Sequence, residues 1–356
     1  MTAVARSDAA ADGAVGTSAT TAVGPVAAAA DGVPVRYATT AMGGRLVLRV
    51  SVRAGSDAGA ARDLEVAARR VRAWASLLTR HAADSALLRL DRDPRGDVPV
   101  GPTLAAVLAW AQDAGAATGG IVDAALLEER LAAEGLVAGW PAGGAGALGD
   151  AIAAPHGRHP LAAPAPGRTW SIMPGLPHGA ATVSRAPGTR FDLDGVAKGW
   201  IADRALRVLD RHPGAIVDAD GDIAIRPAPG ERVDVGVGDP RAVGAQLAVL
   251  SLASGPGRRT WGVATSGTSV HRWPTRDGEA HHLIDPHTRR PAATDVVQAT
   301  VVAGTAREAE AFAKSAVILG SAEGLALLDR AGVRGAIVLL RDGRVLALPR
   351  TMELLA

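Results

Sequence analysis

The sequence predicts an α+β protein: a single mixed domain behind a disordered N-terminal tail. Three observations carry this expectation. The first 38 residues are dominated by Ala, Gly, Thr and Asp with no apolar period, a composition that cannot bury enough surface to order itself. From residue 39 to 356, runs of strand length alternate with stretches of helical period. No internal repeat is evident, and 356 residues suffice for a full core. The chain is 48% hydrophobic but only 3% aromatic, so that core must be built from Ala, Val, Leu and Ile.

Order is expected to begin near Tyr37. Arg45 to Val52 alternates as a half-buried strand. A helix follows over about 60–80, with Leu64, Ala67, Val71, Trp74 and Leu78 on one stripe. A second helix is expected over about 103–117. Residues 133–168 are rich in Gly, Ala and Pro and read as loop or insertion. Beyond them, Thr189 to Asp192 reads as a short strand leading into a helix from Val196 to Leu209, which Pro213-Gly214 stops. Strands are expected over 215–217, 223–225, 233–237, 246–252 and 262–264. Thr305-Ala306-Arg307-Glu308 is a capping-box signature for a helix ending near Gly320. The chain closes with a hairpin, 336–340 and 345–348, turning at Asp342-Gly343.

Composition removes several classes of function. There is no cysteine, hence no disulfide, thiolate metal site or cysteine nucleophile. Lys+Arg exceed Asp+Glu by two, 38 against 36, and no basic run is interleaved with aromatics, so nucleic acid is not an expected partner. No stretch of about 18 uninterrupted apolar residues suggests membrane insertion, and no basic start with an apolar core suggests a signal peptide. A cytoplasmic protein is expected. Only Lys198 and Lys314 are lysines among the 38 basic residues. Arginine is a planar fork, lysine a compact point charge, and both lysines fall in segments that attract attention for other reasons.

The first such segment is Asp192-Leu193-Asp194-Gly195-Val196-Ala197-Lys198-Gly199. At a strand-to-helix junction, Asp194 suits an N-cap, Gly195 admits close approach of a ligand, and Lys198 adds a cation to a helix N-terminus. That combination is a phosphate seat; it is equally an ordinary capped helix with a solvated lysine. The second runs from Thr265-Ser266-Gly267 to His282-Leu283-Ile284-Asp285-Pro286, with His271, His281 and His287 nearby. The spacing fits no usual zinc pattern, whereas His282 beside Asp285 suits acid–base chemistry or ligand binding. Asp218-Ala219-Asp220-Gly221-Asp222 superficially resembles a calcium loop, but Pro229 stands where the closing glutamate would be. It reads instead as an acidic turn between strands. Finally, Glu310 and Lys314 share a face of the late helix amid Ala309, Ala311, Phe312, Ala313, Ala316 and Val317. A pair on so apolar a helix is expected to be buried.

In order, these segments resemble the ApbE family, the FAD:protein FMN transferases. Ala41-Met42-Gly43, Ser85 to Leu90, Gly120-Ile121-Val122-Asp123, Asp192 to Gly199, Ala219 to Ile223, Thr265-Ser266-Gly267 and His282 to Pro286 each resemble a family motif. The resemblance spans about residues 39–350. It implies a T-fold-like mixed domain, FAD as donor substrate and Mg²⁺ as cofactor. It also implies an acceptor flavoprotein, whose threonine receives FMN through the phosphate while AMP is released. By the same resemblance, Met42, Val122, Asp123, Asp192, Lys198, His282 and Leu283 would contact FAD. Gly195 would offer a backbone oxygen to the metal, and His282 and Asp285 would lie near the reacting phosphate, with Asp285 or a water as base.

The departures are equally specific. Where the family carries a metal-binding Asp and Thr on its late helix, this chain has Glu310 and Lys314. Glutamate can still ligate Mg²⁺; lysine is a donor only and cannot. Lys314 is instead expected to bring its ammonium toward the pyrophosphate. Asp194, Asp220 and Arg289 each replace a family glycine. Two other outcomes stay open at this stage, a non-catalytic FAD carrier or sensor and an FAD pyrophosphatase.

Overall fold

The computed structural model describes residues 21–23, 34–52, 57–135, 169–175, 179–257, 259–275 and 278–356. The expected tail lies mostly, and the expected insertion almost wholly, outside them. Within the expected tail, the described residues are two short stretches. Thr21–Val23 pairs antiparallel with Val235–Val237, and the residues from Pro34 onward join an edge strand, Pro34–Ala41. Proline is tolerated at the first position of such an edge because it need not donate to the ladder.

The centre is an eight-stranded sheet. From one edge its order is Val345–Ala347, Gly335–Leu340, Val296–Ala303, Trp261–Gly267, Asp222–Arg226, Gly214–Ala219, Gly44–Ser51 and Pro34–Ala41. Every neighbouring pair is antiparallel. On one face lie the helices Asp57–Leu78, Ala197–Val208 and Ala306–Arg330. Leu46, Leu48 and Val50 pack there with Leu64, Val71 and Ile201. On the other face a three-stranded sheet, Thr21–Val23, Arg232–Gly238 and Gln246–Ala253, covers Ile216, Ile223, Ile225 and Val263. A third sheet, Asp97–Val100, Ala181–Arg185 and Trp170–Pro174, stands to one side with the helix Pro102–Ala117.

Most expected elements appear with wider bounds, and two differ for physical reasons. Thr189 to Asp192 is not a strand. Its backbone is tied to a helix and a loop, Phe191 N–H donating to Asp91 Oδ1 at 3.0 Å and Asp192 N–H to the Ala124 carbonyl at 2.8 Å. The following helix starts at Ala197 with Val196 as its N-cap, making no side-chain bond, so Asp194 is not the cap. Asp194 N–H instead donates to Asp192 Oδ1 at 2.9 Å, a local turn of the kind Asp favours. The first stretch of the late helix ends at Gly320, as expected, and a second helical stretch follows it. That glycine breaks the period at φ 81°, and Asp295 Oδ1 accepts the Ser321 N–H at 2.9 Å, so helix resumes to Arg330.

The helix Ala306–Arg330 is long and apolar enough to cross a membrane, with 56% of its apolar window buried inside the protein. Burial against the sheet and neighbouring helices accounts for that composition. Its start is anchored twice. Thr305 and Glu308 form the expected capping box, and Asp203, from the helix Ala197–Val208, accepts Ala306 N–H at 2.9 Å and Arg307 N–H at 3.2 Å. Gly199 seats the two helices together: a Cβ there would lie 2.7 Å from Ala306 O and the Arg307 backbone.

Candidate active site

The joint between these two helices is where the expected site residues meet. A cavity opens beside it, and Val122, Asp123, Asp192, His282, Leu283 and Lys314 line it together with Gly195. They come from four stretches of chain far apart in sequence. Each is held by local bonds. Val122 N–H donates to Thr118 Oγ1 at 3.1 Å, and Asp123 Oδ1 accepts Ala125 N–H at 2.8 Å. Leu283 N–H donates to His281 Nδ1 at 3.2 Å, while His281 Nε2 meets the Ala292 carbonyl at 2.9 Å. That pair of bonds requires a neutral ring protonated on Nε2. Burial lowers the His281 pKa to about 4, which keeps it so.

His282 itself points into the site. Burial holds its pKa well below the usual histidine value, reinforced by Arg130. Its Nδ1 is buried with no hydrogen-bond partner, and its ring stacks edge-on against His271 with centroids 5.2 Å apart. Asp285 is not among the cavity-lining residues. It holds its own turn, accepting His287 N–H at 2.8 Å and the Thr288 hydroxyl at 3.2 Å.

The two lysines diverge. Lys198 Nζ lies 3.2 Å from Asp222 Oδ2, and Asp222, which is buried, raises the lysine pKa. Lys314 has no carboxylate within 4.0 Å among the described residues. Its ammonium sits where a Cβ on Gly195 would stand, so any side chain there would displace it. Burial lowers its pKa, opposed by the more distant charges of Glu310, Asp192 and Asp194. The expected direct Glu310–Lys314 pair is therefore absent. Glu310 Oε2 accepts Gly199 N–H at 2.9 Å, taking one of the helix-start donors expected to face a phosphate, and Oε1 is buried without a partner. Burial, then the charge of Asp222, raises the Glu310 pKa to about 8.

This arrangement does not fit a divalent cation. An ammonium with no lone pair stands against Gly195, the expected backbone ligand. Among the described residues no group of three or more His, Asp or Glu converges to hold a metal ion.

Met42 is not among the residues that line the cavity. With φ 56° it turns the hairpin Pro34–Ala41/Gly44–Ser51, next to the Asp220 turn, whose carboxylate fills the space a Gly44 Cβ would need. Two of the three glycine departures fall at left-handed positions, Asp220 at φ 57° and Arg289 at φ 58°, where glycine is the unstrained choice. Asp220 belongs to the acidic turn between strands, as expected, with Ala219 paired to Asp222. Arg289 is held by an ion pair to the buried Glu129.

Residue reading missed three contributors. Asp222 reads in sequence as part of an acidic turn, yet it partners Lys198. Asp203 caps the late helix. Arg130 is buried, bonds Glu134 Oε1 at 2.5 Å and reaches the His282 carbonyl at 3.3 Å. The Arg130/Glu134 spacing was a visible signal; the other two depend on contacts between distant segments.

A sequence model of the ApbE family matches residues 42–338. The FAD:protein FMN transferase of Treponema pallidum is 34% identical over 190 residues, which cover 49% of this chain and 50% of that protein. The chain thus spans about half the length of that relative. The enzyme of the same name from Salmonella typhimurium is 26% identical over 281 residues, covering 75% of this chain and 73% of the relative. Among solved structures, the ApbE protein of Thermotoga maritima superposes with a TM-score of 0.70 at 19% identity, over 90% of this chain and 99% of that one. This last likeness speaks for the fold.

Proposed function

The chain belongs to the ApbE family, and we propose on that premise that it is an FAD:protein FMN transferase. It would take FMN from FAD and place it, through the phosphate, on a threonine hydroxyl of an acceptor flavoprotein. The observation that carries this reading is the cavity gathering Val122, Asp123, Asp192, His282, Leu283 and Lys314 from separate segments. It is lined both by apolar side chains such as Ile121, Leu126 and Ile318, which suit a ring system, and by the charged groups Asp123, Asp192 and Lys314. Lys198 and Met42, which lie outside the cavity lining, complete the proposed flavin contacts.

The chemistry asked of the site is modest. The threonine oxygen attacks the FMN phosphorus, a new P–O bond forms, and the bond to the AMP phosphate breaks. AMP leaves with the electron pair, and the hydroxyl proton passes to a base. Positioning and charge neutralisation dominate such transfers. The base expected from the resemblance is Asp285 or a water; we assign the role to His282 instead, because it lines the cavity and burial keeps it neutral. Asp285 would act through the turn it holds. The Mg²⁺ implied by the resemblance is left out of this reading, since Lys314 stands at the expected position.

Incubation with FAD and an acceptor flavoprotein bearing a target threonine tests the reading. Mass gain of one FMN on the acceptor, with one AMP released per transfer, is the expected result. Free FMN without acceptor modification would indicate a pyrophosphatase, and bound but intact FAD a carrier. A cytoplasmic site of action belongs to the same reading and is tested by fractionating cells that make the protein.

A further inference from the structure

We propose that the Lys314 ammonium is this chain's built-in substitute for a divalent cation, so that the FAD diphosphate is held without any metal ion. The inference rests on the flavin reading above and goes beyond it, since it concerns the charge that the site itself supplies.

Four observations carry it. The ammonium lies against Gly195, in the space a Cβ would fill, and faces the cavity. It has no carboxylate within 4.0 Å among the described residues, whereas the other lysine, Lys198, is paired with Asp222 at 3.2 Å. One helical turn earlier, Glu310 is committed to Gly199 N–H through one oxygen and leaves the other buried and unpartnered. A metal ion ligated by Glu310 and Gly195 would put two cations in one small space beside Lys314. Lastly, apart from Lys198 and Lys314, all of the 38 Lys and Arg residues are arginine. A guanidinium fork is too broad for the close seat at Gly195, while an ammonium is a compact charge with donors free to turn toward phosphate oxygens.

A purely structural cation, present only to offset Asp192, Asp194 and Glu310, would give the same charge balance. The two roles differ in what happens when flavin or metal is added. FAD binding to the full chain is therefore measured by flavin fluorescence anisotropy, in EDTA and then in Mg²⁺, for the wild type and K314M. In parallel, Mn²⁺ is titrated into the flavin-free chain and followed by electron paramagnetic resonance. We expect wild-type affinity to be the same in both buffers within about threefold, and K314M to bind about tenfold or more weakly in both, as loss of a charge-assisted contact implies. No tight Mn²⁺ site should appear. Wild-type binding lost in EDTA and restored by Mg²⁺, or one tight Mn²⁺ per chain, overturns the inference; so does K314M that melts like the wild type and binds FAD equally well. Should K314M fail to fold, the wild-type measurements decide alone. If the wild type binds no FAD in either buffer, the flavin reading fails, and the Mn²⁺ titration still judges the cation claim.

Discussion

Lys198 and Lys314 stand on two helices that meet at Gly199, yet they are in opposite electrostatic situations. Lys198 is satisfied inside the fold: Asp222 is 3.2 Å away and raises its pKa. Lys314 is aimed at a cavity, has no such partner among the described residues, and burial lowers its pKa. A paired buried cation is part of the scaffold, and removing it strands its carboxylate. A cation held beside a glycine, with its nearest carboxylates out of contact, is arranged for an anion that arrives. The difference separates what holds the site together from what the site offers its ligand.

Four changes would break or sharpen that contrast. The largest effect is expected at the wall of the Lys314 cavity. His281 is neutral in the fold, with its pKa lowered to about 4, and positions Leu283. A lowered histidine pKa contributes stability above the unfolded value of 6.5, and that contribution is lost as pH falls through about 4. Between those limits the wild type should lose about 3 kcal/mol relative to H281N, read by urea unfolding at each pH. A constant difference would show that the ring does not titrate as described.

Next, K198M should lower stability by about 2 kcal/mol, the cost of an unpaired buried Asp222 reduced because Lys198 is partly exposed. K314M should leave stability close to wild type. Equal losses for the two variants in chemical denaturation would erase the contrast. Third, G195A puts a methyl group where the Lys314 ammonium lies, so FAD affinity should fall about tenfold, or about 1.4 kcal/mol, with a nearly unchanged melting temperature. Affinity like the wild type's would mean that the ammonium's seat is irrelevant. The smallest effect is assigned to D203N. It weakens the cap on Ala306 and Arg307 and should cost about 1 kcal/mol, without altering flavin affinity beyond that loss of stability.

How far the sequence could be read follows the same divide. Alternating strands such as Gly44–Ser51 and amphipathic helices such as Asp57–Leu78 announced themselves. Val296–Ala303, buried nearly throughout in the middle of the sheet, did not, because a strand covered on both faces loses its alternation. Residues Thr21–Val23 were invisible in a low-complexity stretch, since their order comes from a partner strand more than two hundred residues away. At the site, the segments could be named in order, and the structure gathers Val122, Asp123, Asp192, His282, Leu283 and Lys314 around one cavity. What sequence could not supply was pairing. Glu310 and Lys314, four apart on one helix, suggested an ion pair; folding sends one to Gly199 and the other to Gly195. Asp222 lay unnoticed in a turn because its partner is on a helix.

The account is tested most directly by a crystal structure of the chain with FAD, grown with Mg²⁺ present. The diphosphate should lie within hydrogen-bond distance of Lys314 Nζ, beside Gly195, with no metal between Gly195 and Glu310. A metal ion ligated by Glu310, with the ammonium turned away from the diphosphate, would contradict it.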